Sequence, residues 1–178
     1  MKAEGSARGF TLLELLVVVV IIGVIASFAV LSIGNRAIEG RLEREAHRLQ
    51  ELIALAADEA VLQGTELGFA QTADGYTFLG LDPKGQWRPL EDAGALRARA
   101  LEEPFYLQLR VDGRPVAPLK LRDETDPGHE IKPQVLLLSS GEATQFVLDL
   151  RARDYAPHCT LEGDLLGRLK LERRDTES

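Results

Sequence analysis

The sequence predicts an α+β fold in which one long amino-terminal helix is followed by a head of about eight antiparallel strands. Two observations support this prediction. Apolar residues first form a run from Phe10 to Leu31 and then recur in steps of three, four and seven as far as Gln63, which is the period of a helix. From Glu66 onward, short apolar segments alternate with turn residues, which is typical of antiparallel strands.

The first element is the apolar run Phe10–Leu31. At about 1.5 Å per residue it would extend roughly 33 Å as a helix, which matches the hydrocarbon core of a bilayer, so we expect it to cross a membrane. Within the run only Glu14 is ionisable. An isolated carboxylate in hydrocarbon costs at least a few kcal/mol, so we expect a cationic partner. A signal peptide would have a shorter apolar core, and a plain single-span anchor would leave Glu14 without a role.

The same helix is predicted to continue to about Gln63, with residues 32–64 forming its second part. One face carries the apolar residues Ile38, Leu42, Leu49, Ile53, Ala56 and Ala60. Charged residues between Glu39 and Glu45 occupy the opposite face, and small alanines would let the helix lie close to a sheet. Gln63-Gly64 is a suitable end, because glycine accepts the left-handed conformation that terminates helices.

The head is predicted to span residues 65–172. Its first hairpin joins Glu66–Gln71 to Tyr76–Leu81, and Asp74-Gly75 in the turn supplies residues that tolerate positive φ. The other predicted strands are Phe105–Val111, Val116–Leu121, Gln134–Leu138, Gln145–Arg151, Cys159–Leu161 and Leu165–Leu171. Arg122–Pro133 lacks an apolar period and indicates a surface loop, and residues 173–178 are predicted to be a tail.

Composition limits the functions that the chain can have. The chain holds 21 Lys and Arg against 28 Asp and Glu, for a net charge of −7, which argues against nonspecific nucleic-acid binding. Cys159 is the single cysteine, so no intramolecular disulfide can form, and we expect it to be buried as a small hydrophobic residue.

No pattern in the sequence indicates catalysis, a metal or a cofactor. His158 and Cys159 are adjacent, but neighbours on a strand point to opposite faces, so they do not form a catalytic pair. His47 and His129 are expected to be solvated. The loop that carries Asp123, Glu124 and Asp126 is acidic, but it lacks the alternating ligand spacing of a calcium site.

The amino terminus resembles that of the type IV pilin superfamily. Gly9, Phe10 and Glu14 match the last leader residue, the first mature residue and the fifth mature residue of that superfamily. The resemblance implies that a prepilin peptidase cuts between Gly9 and Phe10, removes residues 1–9 and methylates the new amine of Phe10. It also implies that this amine pairs with Glu14 of a neighbouring subunit, which would set the assembly register and neutralise both charges in an apolar setting.

Fragments of the head are similar to the minor pseudopilin H (GspH) family of type II secretion systems. They occur in the expected order: Ala56–Ala60, Asp74–Phe78, Gly85–Trp87 and Ser140–Phe146. The resemblance implies a pilin-like fold, in which a helix with a membrane-spanning first half, Phe10–Leu31, packs on a β-sandwich of two antiparallel sheets. It also places the head in the periplasm and the anchor in the inner membrane.

This resemblance implies a structural protein and not an enzyme. The chain would be incorporated near the pseudopilus tip and would join tip subunits to the shaft for export of folded proteins across the outer membrane. Its partners would be other pseudopilins, the prepilin peptidase and the inner membrane. One alternative is a minor pilin of a type IV pilus, and a second is a related minor pilin that binds DNA during natural uptake. The residues that could form a basic patch for this are Arg168, Lys170, Arg173 and Arg174, although acidic residues lie between them.

Overall fold

The computed structural model describes residues 12–90, 94–121 and 130–175, with side chains throughout except over residues 26–35. The chain divides into two compact units, residues 1–38 and residues 39–178, which are described separately below. Gly9, Phe10 and the acidic-loop residues lie outside the described part, and so does His129. The predictions that concern these residues stay predictions.

A single helix, α1, spans Leu12–Gln63, in agreement with the prediction. Gly64 ends it with a φ of 64°, a conformation that glycine adopts without strain. The Thr65 amide donates to the carbonyl of Ala60 at 3.1 Å, and the Gly64 amide donates to that of Val61 at 3.4 Å. These two bonds form the Schellman motif that satisfies the last carbonyls of a helix.

Within residues 39–178, α1 buries one apolar stripe. Its members are Leu42, Ala46, Leu49, Ile53, Ala56 and Ala60, each at most 3% exposed. The opposite face is charged and exposed at Glu43 and Arg44. The alanines at 56 and 60 are completely buried, which agrees with the expectation that small residues let the helix lie close to the sheets.

Ten strands follow the helix in the described part of the chain, in place of the predicted eight. In chain order, β1 to β10 are Leu67–Gln71, Gly75–Leu81, Trp87–Pro89, Arg99–Ala100, Phe105–Val111, Arg114–Pro115, Val135–Leu137, Phe146–Ala152, Tyr155–Gly163 and Leu169–Arg174. One sheet has the order β3-β2-β1-β7, with β4 also paired to β2, and the other has the order β10-β9-β8-β5-β6. All ladders are antiparallel, so the predicted helix on two antiparallel sheets is confirmed.

The core is formed by the inward faces of both sheets. In the first sheet, Phe69, Tyr76 and Phe78 form an aromatic cluster with ring centroids 5.6–6.1 Å apart. In the second sheet, β5 alternates as predicted, so that Phe105 and its i+2 and i+4 neighbours are buried. Such alternation is the consequence of a strand with one face on the core.

The prediction of a strand over Val116–Leu121 is wrong. Asp112 and Gly113 turn the chain with φ values of 50° and 75°, but the strand after them, β6, contains only Arg114 and Pro115. The chain then leaves the second sheet, and the Leu119 amide donates to the carbonyl of Gln71 in the first sheet at 2.7 Å. Prolines shorten this strand because they have no N–H for a ladder.

Two further details differ from the prediction. Arg173 and Arg174 belong to β10, so the predicted tail at residues 173–178 is wrong for these two residues. Gly75 does not have a positive φ. A Cβ at this position would lie 2.1 Å from the carbonyl oxygen of Arg99, so glycine is required there by the close approach of β4.

Candidate assembly interface

The first unit contains a helical segment whose large apolar side chains are exposed. Over Leu12–Ile25 the exposed fraction runs from 43% at Val18 to 88% at Leu12. The exposed residues lie all around the helix: Leu12, Leu13, Leu15, Leu16, Val17, Val18, Val19, Val20, Ile21, Ile22, Val24 and Ile25. An apolar surface of this extent is typical of a segment that is covered by a membrane or by other subunits.

Glu14 lies in the first turn of α1 and is exposed. It is the only ionisable residue between Leu12 and Ile25. Its predicted partner, the amine of Phe10, is outside the described residues. Within the described part, no helix meets the length and apolarity needed to cross a membrane. The predicted span Phe10–Leu31 extends beyond that part at its first two residues and therefore stays a prediction.

The structure buries His158 and Cys159 without bringing them together as a catalytic pair. They are consecutive residues of β9 and so point to opposite faces of the sheet. His158 Nε2 lies 3.4 Å from a guanidinium nitrogen of Arg151. Burial, with a smaller contribution from the Glu43 carboxylate, raises the pKa of the Cys159 thiol to about 11. A thiol with this pKa is protonated at neutral pH and is a poor nucleophile.

The basic residues near the carboxyl terminus are paired with carboxylates. Arg168 contacts Asp164 at 2.7 Å, and Lys170 contacts Glu172 at 2.6 Å. Arg173 contacts Glu39, Glu43 and Asp175, and Arg174 contacts Glu162 and Glu172. We call this set the carboxyl-terminal cluster; a carboxylate lies beside each of its basic residues and lowers the local positive potential.

A second group of arginines, which the sequence reasoning missed, lines a groove within residues 39–178. The groove has a volume of about 360 Å³, and we call it the arginine groove. Its basic residues are Arg41, Arg44, Arg48, Arg97 and Arg99, and its acidic residues are Glu45 and Glu102. Arg41, Arg44 and Arg48 are spaced i, i+3, i+7 on α1, and this spacing could have predicted the wall of the groove that the helix forms. The other wall depends on the position of β4 and could not be predicted locally.

Metal binding finds no support in the described residues, where no group of three or more His, Cys, Asp or Glu could hold an ion. His47 is exposed on α1, as expected. The buried carboxylate Asp149 accepts a hydrogen bond from Thr160 Oγ1 at 2.7 Å and pairs with Arg110 at 3.0 Å. Both contacts join neighbouring strands, so this group stabilises the second sheet.

Comparison with known protein families agrees with this architecture. Residues 5–30 match the prokaryotic N-terminal methylation motif, and residues 45–164 match the family model for the type II transport protein GspH. The chain belongs to the GspH family. The resemblances found at the amino terminus and in the head are therefore confirmed.

Three curated relatives match between 79% and 95% of the GspH-family chain. It is 39% identical to type II secretion system protein H of Pseudomonas aeruginosa, over 95% of this chain and 99% of the relative. It is 29% identical to type II secretion system protein H of Aeromonas hydrophila, over 95% of each chain. It is 31% identical to the protein of that name from Escherichia coli, over 79% of each chain.

Solved structures show the same fold. The minor pseudopilin EpsH from the type 2 secretion system of Vibrio cholerae superposes with a TM-score of 0.60 at 24% identity, covering 77% of this chain and 98% of that one. The solution structure of E. coli GspH superposes with a TM-score of 0.54 at 22% identity, covering 80% of this chain and 92% of that one.

Proposed function

We propose that this GspH-family protein is a minor pseudopilin of a type II secretion system. In this role it is incorporated near the tip of the pseudopilus and joins the tip subunits to the shaft, so that folded proteins are exported across the outer membrane. The observation that carries the proposal is the exposed apolar segment Leu12–Ile25 with a carboxylate in its first turn. Family membership and the name of the Pseudomonas relative support the secretion role.

Processing precedes assembly in this proposal. The prepilin peptidase cleaves between Gly9 and Phe10 and methylates the new amine of Phe10, and the match of residues 5–30 to the methylation motif supports this step. Before assembly, Phe10–Leu31 holds the subunit in the inner membrane as a single span with the head in the periplasm. The apolar surface of Leu12–Ile25 suits both lipid and a bundle of helices, so transfer between them changes its environment little.

Glu14 sets the register of assembly. A carboxylate among twelve exposed aliphatic side chains is stabilised when a cation meets it, and the amine of Phe10 on a neighbouring subunit supplies that cation. Contacts of this head-to-tail kind do not close on themselves and therefore generate a helical filament. The partners are accordingly other pseudopilins, and the interaction is between chains.

We further propose that the protein is neither an enzyme nor a nucleic-acid-binding pilin. Membership of the GspH family supports the first statement, and the raised pKa of the Cys159 thiol argues against a cysteine nucleophile. The carboxylates that lie beside every basic residue of the carboxyl-terminal cluster support the second, because they lower the positive potential that would attract phosphate there. This is the residue set on which the DNA-uptake alternative depended.

The test is co-assembly in membranes. The full chain is co-expressed with the prepilin peptidase and the shaft pseudopilin of the same secretion system, and two quantities are measured: the mass of the mature amino terminus and the amount of shaft subunit that co-purifies. We expect loss of residues 1–9 and a methylated Phe10. We expect Glu14→Gln to be processed normally but to retain at most one tenth of the shaft subunit.

Glu51→Gln is the matched control, because Glu51 is an exposed carboxylate on the head part of the same helix. This variant should retain the same amount of shaft subunit as the unsubstituted chain. If both variants retained as much shaft subunit as the unsubstituted chain does, the role given to Glu14 would be contradicted. Failure of the unsubstituted, processed chain to retain any pseudopilin would contradict the proposed function.

A further inference from the structure

The arginine groove concentrates positive charge on an acidic protein. The chain has a net charge of −7, yet the groove is lined by five arginines and only two glutamates. Three arginines project from α1 and two from the segment around β4, which faces the helix across the cavity. Like charges that are placed close together repel, so an arrangement of this kind indicates a surface that meets an anionic partner.

Three of these arginines lack a carboxylate partner among the described residues. Arg97 donates only to the carbonyl of Gly94 at 3.3 Å, and Arg99 donates to that of Ala95 at 3.2 Å. Arg99 Nε is buried and has no hydrogen-bond partner in the described part of the chain. Arg44 is exposed, and no ion pair within that part includes it. The groove therefore holds donors that a carboxylate could satisfy.

The two pairs that do exist in the groove are easily exchanged. Arg41 contacts Glu102 at 2.8 Å, but the Glu102 side chain is 87% exposed. Arg48 contacts Glu45 at 3.3 Å within one helical turn. Exposed pairs of this type contribute only about 0–1 kcal/mol, so a partner that brings several carboxylates can replace them.

The dimensions of the groove fit an extended peptide segment better than a single small anion. Its volume of about 360 Å³ corresponds to roughly a dozen water molecules at about 30 Å³ each. Arg44 and Arg48 are separated by about 6 Å along α1, since the helix rises about 1.5 Å per residue. Alternate side chains of an extended strand are about 6.6 Å apart, so two carboxylates at such positions can meet these two arginines.

The groove also offers contacts for the rest of a peptide. Tyr76 and Phe105 line it, and the Arg41 guanidinium lies 5.1 Å from the centre of the Phe105 ring. The strand β4 pairs with β2 and is an edge of its sheet, so backbone groups lie beside the arginines. Guanidinium groups beside an edge strand suit a protein segment.

We propose that the arginine groove binds an extended, acidic segment of a partner protein, with alternate Asp or Glu side chains pairing with Arg44, Arg97 and Arg99. The identity of the partner, an adjacent pseudopilin, rests on the proposed function. The preference of the groove for acidic side chains does not depend on that function. The groove is thus a second contact surface, separate in chemistry from the apolar segment Leu12–Ile25.

The test uses the full chain in a neutral detergent and a fluorescent, acetylated octapeptide in which glutamate alternates with alanine. Binding is measured by anisotropy at low and at high salt, with the glutamine version of the peptide as its control. We expect saturable binding of the glutamate peptide that weakens as salt rises, and no binding of the glutamine peptide. Arg44→Ser combined with Arg97→Ser should weaken binding at least tenfold.

Arg168→Ser combined with Lys170→Ser is the matched control, since it removes the same charge from the carboxyl-terminal cluster, whose residues do not line the groove. Its affinity should change less than twofold. Equal weakening in both double variants, or absence of peptide binding, would overturn the proposal. Direct binding of inorganic phosphate or of phosphatidylglycerol vesicles to the chain, without peptide binding, would identify an anion or lipid site instead. No secretion component is present, so this outcome is independent of the Glu14→Gln experiment.

Discussion

The two parts of α1 place their apolar side chains in opposite environments. Over Leu12–Ile25, aliphatic residues surround the helix and all of them are exposed. Over residues 42–60, six apolar residues from Leu42 to Ala60 form one stripe, and each is at most 3% exposed. A stripe can be buried by the chain's own sheets, whereas a helix that is apolar all round needs a membrane or other subunits on every side.

This difference shows how one helix can serve both folding and assembly. Burial of the stripe belongs to the folding equilibrium of the head, whereas in the proposed function burial of the segment Leu12–Ile25 belongs to an equilibrium with other molecules. Substitutions in the two parts should therefore have separable effects. The predictions below test this separation, beginning with the largest expected effect.

Ile53→Ala should destabilise the head strongly. Ile53 is 1% exposed, and removing a buried aliphatic side chain costs about 2–5 kcal/mol of the free energy of unfolding. The measurement is urea unfolding of the full chain in detergent micelles, followed by the fluorescence of Trp87, the single tryptophan. Ile21→Ala is the control, since Ile21 is exposed, and it should change this free energy by less than about 0.5 kcal/mol. Equal losses would show that the two parts fold as one unit.

Gly163→Ala should destabilise the head less than Ile53→Ala does. A Cβ at Gly163 would lie 2.1 Å from the ring of Phe146, and such overpacking costs about 1–3 kcal/mol. Gly23→Ala makes the same change in the apolar segment, where a Cβ would meet no described heavy atom within 4 Å beyond its chain neighbours and the nearby helix backbone, so the head should unfold as before. Adding Phe146→Leu should restore part of the loss at Gly163. Without any restoration, the steric explanation would be wrong.

The buried thiol should make stability depend on pH in the alkaline range. Burial raises the pKa of Cys159 from 9.0 to about 11, with Glu43 raising and Arg173 lowering it. The unfolded chain releases this proton first, so the thiol's contribution is complete below about pH 9 and is lost as pH rises towards 11. The unfolding free energy is measured from pH 8 to 11 for the unsubstituted chain and for Cys159→Ser. The difference between the two profiles isolates the thiol from every other group that both chains share. Parallel profiles would contradict the prediction.

Sequence reasoning identified the helix and its end because these depend on local signals. Gly64 follows the last periodic residue, and the Schellman bonds form there as the glycine predicts. The hairpin of β1 and β2 and the alternation in β5 were also predictable, because each depends on a period of two and a nearby turn. These elements form the frame on which the exposed segment and the groove are placed.

The sequence predictions were wrong where contacts between residues distant in the chain determine the structure. Leu119 pairs with the first sheet and not with its sequence neighbours, so the apolar pattern of Val116–Leu121 predicted a strand that does not form. Gly75 is needed because β4 passes close to it, which no turn rule can indicate. The second wall of the arginine groove, at Arg97 and Arg99, likewise depends on the pairing of β4 with β2.

The smallest effect on stability is expected for Arg173, which lies in β10 and not in the tail that the sequence predicted. Arg173 lies in β10 and contacts Glu39 and Glu43 on the polar face of α1, which joins the last strand to the head part of the helix. These side chains are partly exposed, so Arg173→Ala should cost only about 0.2–1 kcal/mol of the free energy of unfolding.

The loss at Arg173 should also depend on salt. It should shrink between about 0.01 M and about 1 M salt, where the Debye length falls from about 30 Å to about 3 Å. Arg153→Ala is the control, because its pair with Glu103 is largely exposed on both sides and should contribute close to nothing. An Arg173 effect that salt leaves unchanged would assign the contribution to packing of the arginine stem against the sheet, and the polar face of α1 would then stabilise the head without its charges.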